Sequence, residues 1–303
     1  MTEDRFEAHR AHLLGVAYRL LSSWADAEDV VSEVWLRWRR HADDVVEPRA
    51  WLTRVTARVA LDELRSARVR RESYIGPWLP EPLVTLPGGA ASDDPLERVV
   101  QDESVRMAFL VVLEQLTPEQ RVAVVLHDVL DVPFPEVADV LGCTAATARQ
   151  HAVRGRRRIA DADVPPRSSL DDGAAVLTRL STALTTGDAK ALTALLAPSV
   201  VFTSDSGGAV HAARRPLIGA AQVGNFLLGL QRLGGDRATF VSVAVNGEPG
   251  LLMRLRDPRP GEPRVAVYGF GVHNRQLTAV WAVLAPDKLT RLPPSAAGTP
   301  PRT

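Results

Sequence analysis

Cysteine and lysine are nearly missing from the 303 residues: Cys143 stands alone, and Lys190 and Lys288 are the only lysines. One thiol excludes an intrachain disulfide framework and a cysteine-rich zinc site, a usage that fits a reducing compartment, so a cytoplasmic location is expected. No run approaches the roughly 18 apolar residues of a membrane span, and the N-terminus lacks a basic region followed by an apolar stretch and a cleavage site. Neither membrane nor export is therefore expected. Net charge is missing as well, with 36 Lys+Arg against 36 Asp+Glu, which leaves local clustering as the only electrostatic route to nucleic acid.

The composition is 46% apolar and 24% charged, the balance of a folded chain, and the length suits two or three domains. Apolar residues recur at helical spacing over 6–72, as in Leu13, Val16, Ala17 and Leu20 and again in Val30, Val34 and Trp38, which predicts three helices. Pro77, Pro80, Pro82, Pro87 and Pro95 with Gly88 and Gly89 exclude a helix or inner strand over 74–95, which reads as a linker. Helical spacing returns from 95 to 159. After Asp163-Val164-Pro165-Pro166 the pattern changes to helices over 171–196, a strand at 200–203 and a helix at 220–230. Strands follow at 240–245, 251–255, 265–272 and 277–284. Helices followed by an antiparallel sheet predict an α+β domain, with a mobile tail from 286 to 303.

Ala138 lies four positions before Gly142, with Val137, Leu141 and Cys143 as apolar neighbours, which is the spacing of a helix-turn-helix. A small residue lets the two helices cross closely, and glycine supplies the positive φ of the turn. Thr144 is placed to cap the next helix, over 145–159, whose Arg149, Gln150, Arg154, Arg156, Arg157 and Arg158 are joined by no acid. Arginines alone are better read as a solvated face. Together with the turn glycine, the small alanine and the cap they point to phosphates and base edges.

Asp26-Ala27-Glu28-Asp29 predicts a helix start with acids complementing the dipole, and Asp29 and Glu33 share a face with Arg37. Solvated acids on a core helix are the plain reading of that face. Residues 48–65 alternate a core stripe of Leu52, Val55 and Val59 with a basic one of Arg54, Arg58 and Arg65. Arg68, Arg70 and Arg71 extend the charge, and Trp51 at the helix start suits stacking on an unpaired base.

DAEDVVSEVWLRW at 26–38, PRAWLTRVTARVALDELRSARVRRE at 48–72 and the helix-turn-helix at 134–158 occur in the order seen in extracytoplasmic-function sigma factors, which this chain resembles. Trp78-Leu79-Pro80-Glu81-Pro82 is similar to the WLPEP linker of the SigJ-like subgroup, whose members carry a SnoaL-like C-terminal extension. The resemblance implies a multidomain protein of two all-α helical domains followed by an α+β SnoaL-like cone-shaped domain. It implies a sigma-two domain at 1–73, a linker at 74–95, a sigma-four domain at 96–163, the SnoaL-like domain at 171–285 and a flexible tail at 286–303.

It further implies partners: RNA polymerase core, through the β′ clamp and β flap, and promoter DNA. Asp26, Asp29 and Glu33 would meet the clamp. The loop at 42–51 with Arg54, Arg58 and Arg65 would read and melt the minus-ten element, and Thr144, Arg149, Gln150, Arg154, Arg156 and Arg157 the minus-thirty-five element. No cofactor, metal or covalent chemistry is implied. Ala148, His151 and Gly155 depart from the resembled recognition helix, and Gly155 in a helix interior would cost up to about 1 kcal/mol relative to alanine.

The resembled C-terminal fold can host a small-molecule ligand or an isomerase or cyclase site, and Asp205, His211, Tyr268 and His273 are its candidates here. They lack a recognisable acid and base at close spacing, and a regulatory domain acting in cis is the expectation, with the bifunctional enzyme as its alternative. Asn246-Gly247-Glu248-Pro249-Gly250 is similar to the subgroup's NGRPG turn, and is also a plain hairpin turn. Asp205-Ser206-Gly207-Gly208-Ala209 is similar to a DGGGK loop in which Ala209 replaces the lysine. Trp78 is expected to anchor the linker on this domain, so that Trp78 to Pro82, with Asn246, Gly247, Pro249 and Gly250, form the regulatory contact.

Overall fold

The computed structural model describes residues 2–72, 74, 76–86, 95–100, 102–162, 164 and 169–293, with the backbone alone at 67–72, 97, 103 and 170. The chain separates into two compact units, residues 1–73 with 91–164 and residues 74–90 with 165–303. The two helical segments therefore share a unit, and most of the segment read as a linker folds with the C-terminal residues.

The first unit contains α1 (Thr2–Leu21), α2 (Trp24–His41), α3 (Pro48–Glu72), α4 (Pro95–Val100), α5 (Met107–Leu113), α6 (Pro118–Val124), α7 (Phe134–Leu141) and α8 (Ala145–Asp161). The periodic residues face inward: Leu13, Val16, Leu20, Val34, Trp38 and Leu52 are fully buried. Capping differs from expectation at α2, where Ser23 rather than the acidic cluster accepts the Asp26 N–H at 3.2 Å. Thr117 and Gln120 close a reciprocal capping box at α6. That helix widens into a π-turn at Val125–Val129 before the chain enters α7.

The turn between α7 and α8 follows the sequence closely. Gly142 sits at φ +67°, and the Thr147 N–H donates to Thr144 Oγ1 at 3.2 Å. Gly155, by contrast, is no weakness in α8. It is buried, and a β-carbon there would meet Val124 Cγ2 at 2.6 Å and the Gln120 carbonyl at 3.3 Å. Close approach of α6 and α8 requires it. Ala148 and Ala152 are fully buried on the same helix, where larger side chains would overfill the contact.

The second unit opens with a short strand, β1 (Val84–Thr85), followed by α9 (Leu170–Thr186), α10 (Ala189–Leu195), β2 (Leu196–Asp205), β3 (Leu217–Ile218) and α11 (Ala220–Gly234). A meander of β4 (Ala238–Val245), β5 (Glu248–Leu255), β6 (Val265–His273) and β7 (Gln276–Val283) completes it. The sheet order is β1-β4-β5-β6-β7-β2-β3. The expected antiparallel sheet is mixed, because β2 runs parallel to β7. A same-direction pair needs a long connection, which α11 and the meander provide. Val176, Leu180, Leu192, Leu195 and Val223 of the helices join Phe202, Ala266 and Val280 of the sheet in one core.

Two expectations need correction here. Val84 and Thr85 pair with Val245 and Ala244, so the proline-rich segment supplies an edge strand, a sheet position that tolerates neighbouring prolines. Residues 286–288 form a turn of 3-10 helix with Lys288 buried, so the chain is part of the fold beyond 285. The rest of the expected tail, 294–303, lies outside the described residues. Among the described residues no helix is long and apolar enough to cross a membrane, and no cluster of three potential metal ligands occurs.

Candidate nucleic-acid interface and linker clamp

The helix-turn-helix presents Arg149, Gln150, Arg154 and Arg157 on the exposed side of α8. Arg149 also lies over the Phe134 ring, 5.0 Å from its centroid, while Phe134 stacks on His127 at 3.8 Å. Arg156 is turned back, its Nε donating to Asp128 at 2.9 Å, and Arg158 reaches the Gln115 carbonyl at 3.3 Å. The arginines of this helix therefore divide into an outward set and a set that holds α8 to the preceding turns.

Three arginines of α3 are engaged by the helix-turn-helix half of the same unit. Arg54 donates to Glu136 at 2.5 Å, Arg58 to the Asp139 carbonyl at 2.7 Å and Arg65 to Glu119 at 3.2 Å. Burial pushes the Glu119 carboxyl up, but a hydrogen bond from its own backbone N–H, then hydrogen bonding and charge from Arg65, outweigh this and hold it below its usual range. Two arginines without an assigned role tie the halves more deeply. Arg121, 2% exposed, donates to the Arg19 carbonyl at 3.1 Å, to Glu114 at 2.7 Å and to Ser22 Oγ at 2.5 Å. Arg19 in turn donates to Ser104 at 2.5 Å and pairs with Asp102. The side chains of Arg68, Arg70 and Arg71 lie outside the described residues.

Asp26, Asp29 and Glu33 line a groove of about 380 Å³ that α3 completes with Asp62 and Glu63, and Arg37 pairs with Glu33 at its edge. Asp62 and Glu63 carry no signal of their own in the sequence, because they sit inside an arginine-rich stretch and join the other acids only through the packing of α2 on α3. In the loop before α3, Val46 is 89% exposed, and Trp51 packs 5.7 Å from Trp38 and 5.9 Å from His41.

In the second unit the Trp78-Leu79-Pro80-Glu81-Pro82 segment is bound rather than loose. Leu79 is 1% exposed and Glu81 4%, and both prolines are buried. The Asp205 carboxylate accepts the Leu79 N–H at 2.8 Å and the Tyr74 hydroxyl, and the Gly207 N–H bonds it at 3.1 Å. Lys288 Nζ donates to Asp205 and to the Leu79 carbonyl, both at 2.7 Å. The same ammonium sits 3.0 Å from the Trp78 ring centroid, and Trp78 meets Tyr74 edge-on at 5.0 Å. Trp78 is thus half-buried under a cation. Burial and the adjoining carboxylate push the Tyr74 hydroxyl above its usual range.

The turn motif divides. Asn246 and Gly247 adopt φ +53° and +75°, a hairpin turn. Asn246 is also fully buried, donating its N–H to the Leu83 carbonyl at 2.8 Å and accepting the Leu83 N–H on Oδ1 at 3.1 Å. Pro249 and Gly250 instead serve packing. A β-carbon on Gly173 of α9 would meet Pro249 Cγ at 2.8 Å, and one on Gly250 would meet the Tyr268 carbonyl at 2.8 Å. Lys288 and Tyr74 were missed, although Lys288 is one of only two lysines. Asp205 spends its oxygens on this clamp, and burial pushes the Tyr268 hydroxyl up to about 12.

Comparison with known proteins agrees with this architecture. Residues 5–70 match the family model of Sigma-70 region 2 and residues 106–159 that of Sigma-70, region 4. The chain is 45% identical over 302 residues to the ECF RNA polymerase sigma factor SigJ of Mycobacterium tuberculosis, covering 97% of this chain and 95% of that one. It is 30% identical over 291 residues to the probable ECF RNA polymerase sigma factor SigI of the same species, covering 95% and 94%. The crystal structure of Mycobacterium tuberculosis SigJ superposes with a TM-score of 0.78 at 41% identity, covering 95% of this chain and 98% of that one. With two sigma-region helical segments, a bound WLPEP segment and an α+β extension in one order, the chain belongs to the extracytoplasmic-function family of RNA polymerase sigma factors, in its SigJ-like subgroup.

Proposed function

We propose that this sigma factor directs core RNA polymerase to promoters in the cytoplasm through the surfaces described above, and that its C-terminal domain regulates it in cis by holding the linker. The clamp on Leu79 carries the regulatory part: side chains from two distant points of the chain hold both polar groups of one linker residue. The acidic groove of Asp26, Asp29 and Glu33, with Asp62 and Glu63 added, suits a basic partner element such as a polymerase clamp helix. The outward arginines of α8 suit the minus-thirty-five major groove, Thr144 fixing the helix start. Arg54, Arg58 and Arg65 suit minus-ten phosphates once they exchange Glu136, the Asp139 carbonyl and Glu119 for DNA.

Pull-down of core polymerase followed by run-off transcription on a genomic promoter library tests the first part, and failure to bind core overturns it. Transcription by full-length protein, a truncation after Val164 and Trp78→Ala tests the second. Equal output from all three sinks it. An isomerase or cyclase role for the C-terminal domain is the less supported reading, because Asp205, its best-placed acid, accepts from Tyr74, Leu79, Gly207 and Lys288.

A further inference from the structure

A cavity of about 300 Å³ opens beside the clamp, walled on one side by Gly76 and Pro77 of the linker and on the other by the end of β2 and the loop that follows it. At about 30 Å³ per water it holds roughly ten waters, the volume of a small metabolite. Its polar groups are Ser204, Ser206, His211 and Arg214, and no carboxylate lines it. With Ser204 already donating its one proton to the Ala213 carbonyl, Ser206, His211 and Arg214 are the side chains that favour a ligand with negative charge and hydrogen-bond acceptors.

Part of the wall is held in place, while His211 and Arg214 are exposed. Ser204, 3% exposed, is fixed by donating to the Ala213 carbonyl at 3.2 Å. The His211 N–H donates to the Gly261 carbonyl at 2.7 Å, and the imidazole lies so close to Gly261, at φ +82°, that a β-carbon there would collide with the ring. Ala209, where the resembled loop has a lysine, contributes no more than a methyl group to the lining.

We propose that this cavity binds a small oxyanion, a carboxylate or phosphate group of a metabolite, with Arg214 and His211 as its principal contacts. Because Gly76 and Pro77, three and two residues before Leu79, form one wall, occupancy strengthens the hold on the linker. This deepens the regulatory reading above, on which its consequence for transcription rests. The binding itself does not depend on polymerase.

The test is thermal unfolding of the full-length chain with added inorganic phosphate or malonate at constant ionic strength, together with protease cleavage within residues 74–86. The two anions distinguish a phosphate site from a carboxylate site. The expected result is a saturable rise in unfolding temperature and slower cleavage for at least one of them. Arg214→Ala should raise the half-saturating concentration at least about tenfold, the loss expected when a charged hydrogen bond is removed. Ala209→Trp, which fills the cavity, should abolish the response with the circular dichroism spectrum unchanged. A response that does not saturate with either anion, or one that is equal in wild type, Arg214→Ala and Ala209→Trp, overturns the proposal. Core-polymerase pull-down reports separately on the sigma-factor reading.

Discussion

Asp205 and Lys288 lie 2.7 Å apart with side chains 0% and 6% exposed, and both bond the same linker residue. Asp205 takes the Leu79 N–H and Lys288 the Leu79 carbonyl. A buried ion pair is costly to break from one side, because the remaining charge is left without a partner in a poorly solvated place. Asp205→Ala should therefore destabilise the C-terminal unit by about 3–5 kcal/mol, and Asp205→Leu with Lys288→Met together by clearly less. A double-mutant cycle from chemical unfolding gives the coupling, and protease sensitivity at 74–82 reports whether the linker is released.

The polar ties between α3 and the helix-turn-helix half are partly exposed and individually weak. Glu136→Gln and Glu119→Gln should each cost about 0.2–1 kcal/mol of stability, with less effect at high salt. Since each frees an arginine, promoter affinity of the holoenzyme should rise or stay level rather than fall. A drop in affinity, measured by electrophoretic shift, would count against the role given to Arg54 and Arg65.

At Gly155 helix propensity and packing pull in opposite directions. Alanine gains up to about 1 kcal/mol of propensity but forces α6 from α8, and overpacking of this kind typically costs about 1–3 kcal/mol. With Val124 Cγ2 at 2.6 Å from the new carbon, packing should win, so Gly155→Ala lowers stability. Denaturant melts of the two proteins decide the sign.

Thr144→Ala should remove about 1 kcal/mol of helix-start stability. Arg149→Ala should leave stability nearly unchanged and weaken binding at the minus-thirty-five element. The comparison between a promoter with that element intact and one with it scrambled separates the two effects.

Burial, followed by the charges of Arg49, Arg19 and His9, holds His12 down to about 4, while its Nε2 bonds Thr53 Oγ1 at 2.9 Å. Its unfolded value is about 6.5, so below that pH the unfolded chain binds the extra proton first. Stability should be unaffected by this group above pH 6.5 and fall as pH drops from 6.5 towards 4, by at most about 2 kcal/mol after solvent screening. Four of the six tryptophans, at 24, 35, 38 and 51, lie in this unit, so fluorescence melts report on it. His12→Asn should flatten the profile.

The local elements were legible wherever one short stretch carried its own physics. Gly142 and Thr144 specify a turn and a cap through backbone conformation and one neighbouring N–H, so their roles follow from adjacent residues. Ser23 shows the limit: acids at 26–29 suggested the helix start, but a serine three residues earlier takes the free N–H. The parallel pairing of β2 with β7 was hidden because alternation along a strand says which residues face inward and nothing about which strand lies beside it.

The chain's residues alone determined the family, the two helical segments, the helix-turn-helix and the α+β character of the last domain, since these rest on spacing and on residue types that act over a turn or two of backbone. Tertiary structure decided that Gly155 is a packing requirement, that Arg54, Arg58 and Arg65 are held by the helix-turn-helix half, and that Lys288 closes on Leu79. Those contacts join residues from about 30 to more than 200 positions apart, and the energy of such a contact depends on burial and on partners that only the folded chain brings together.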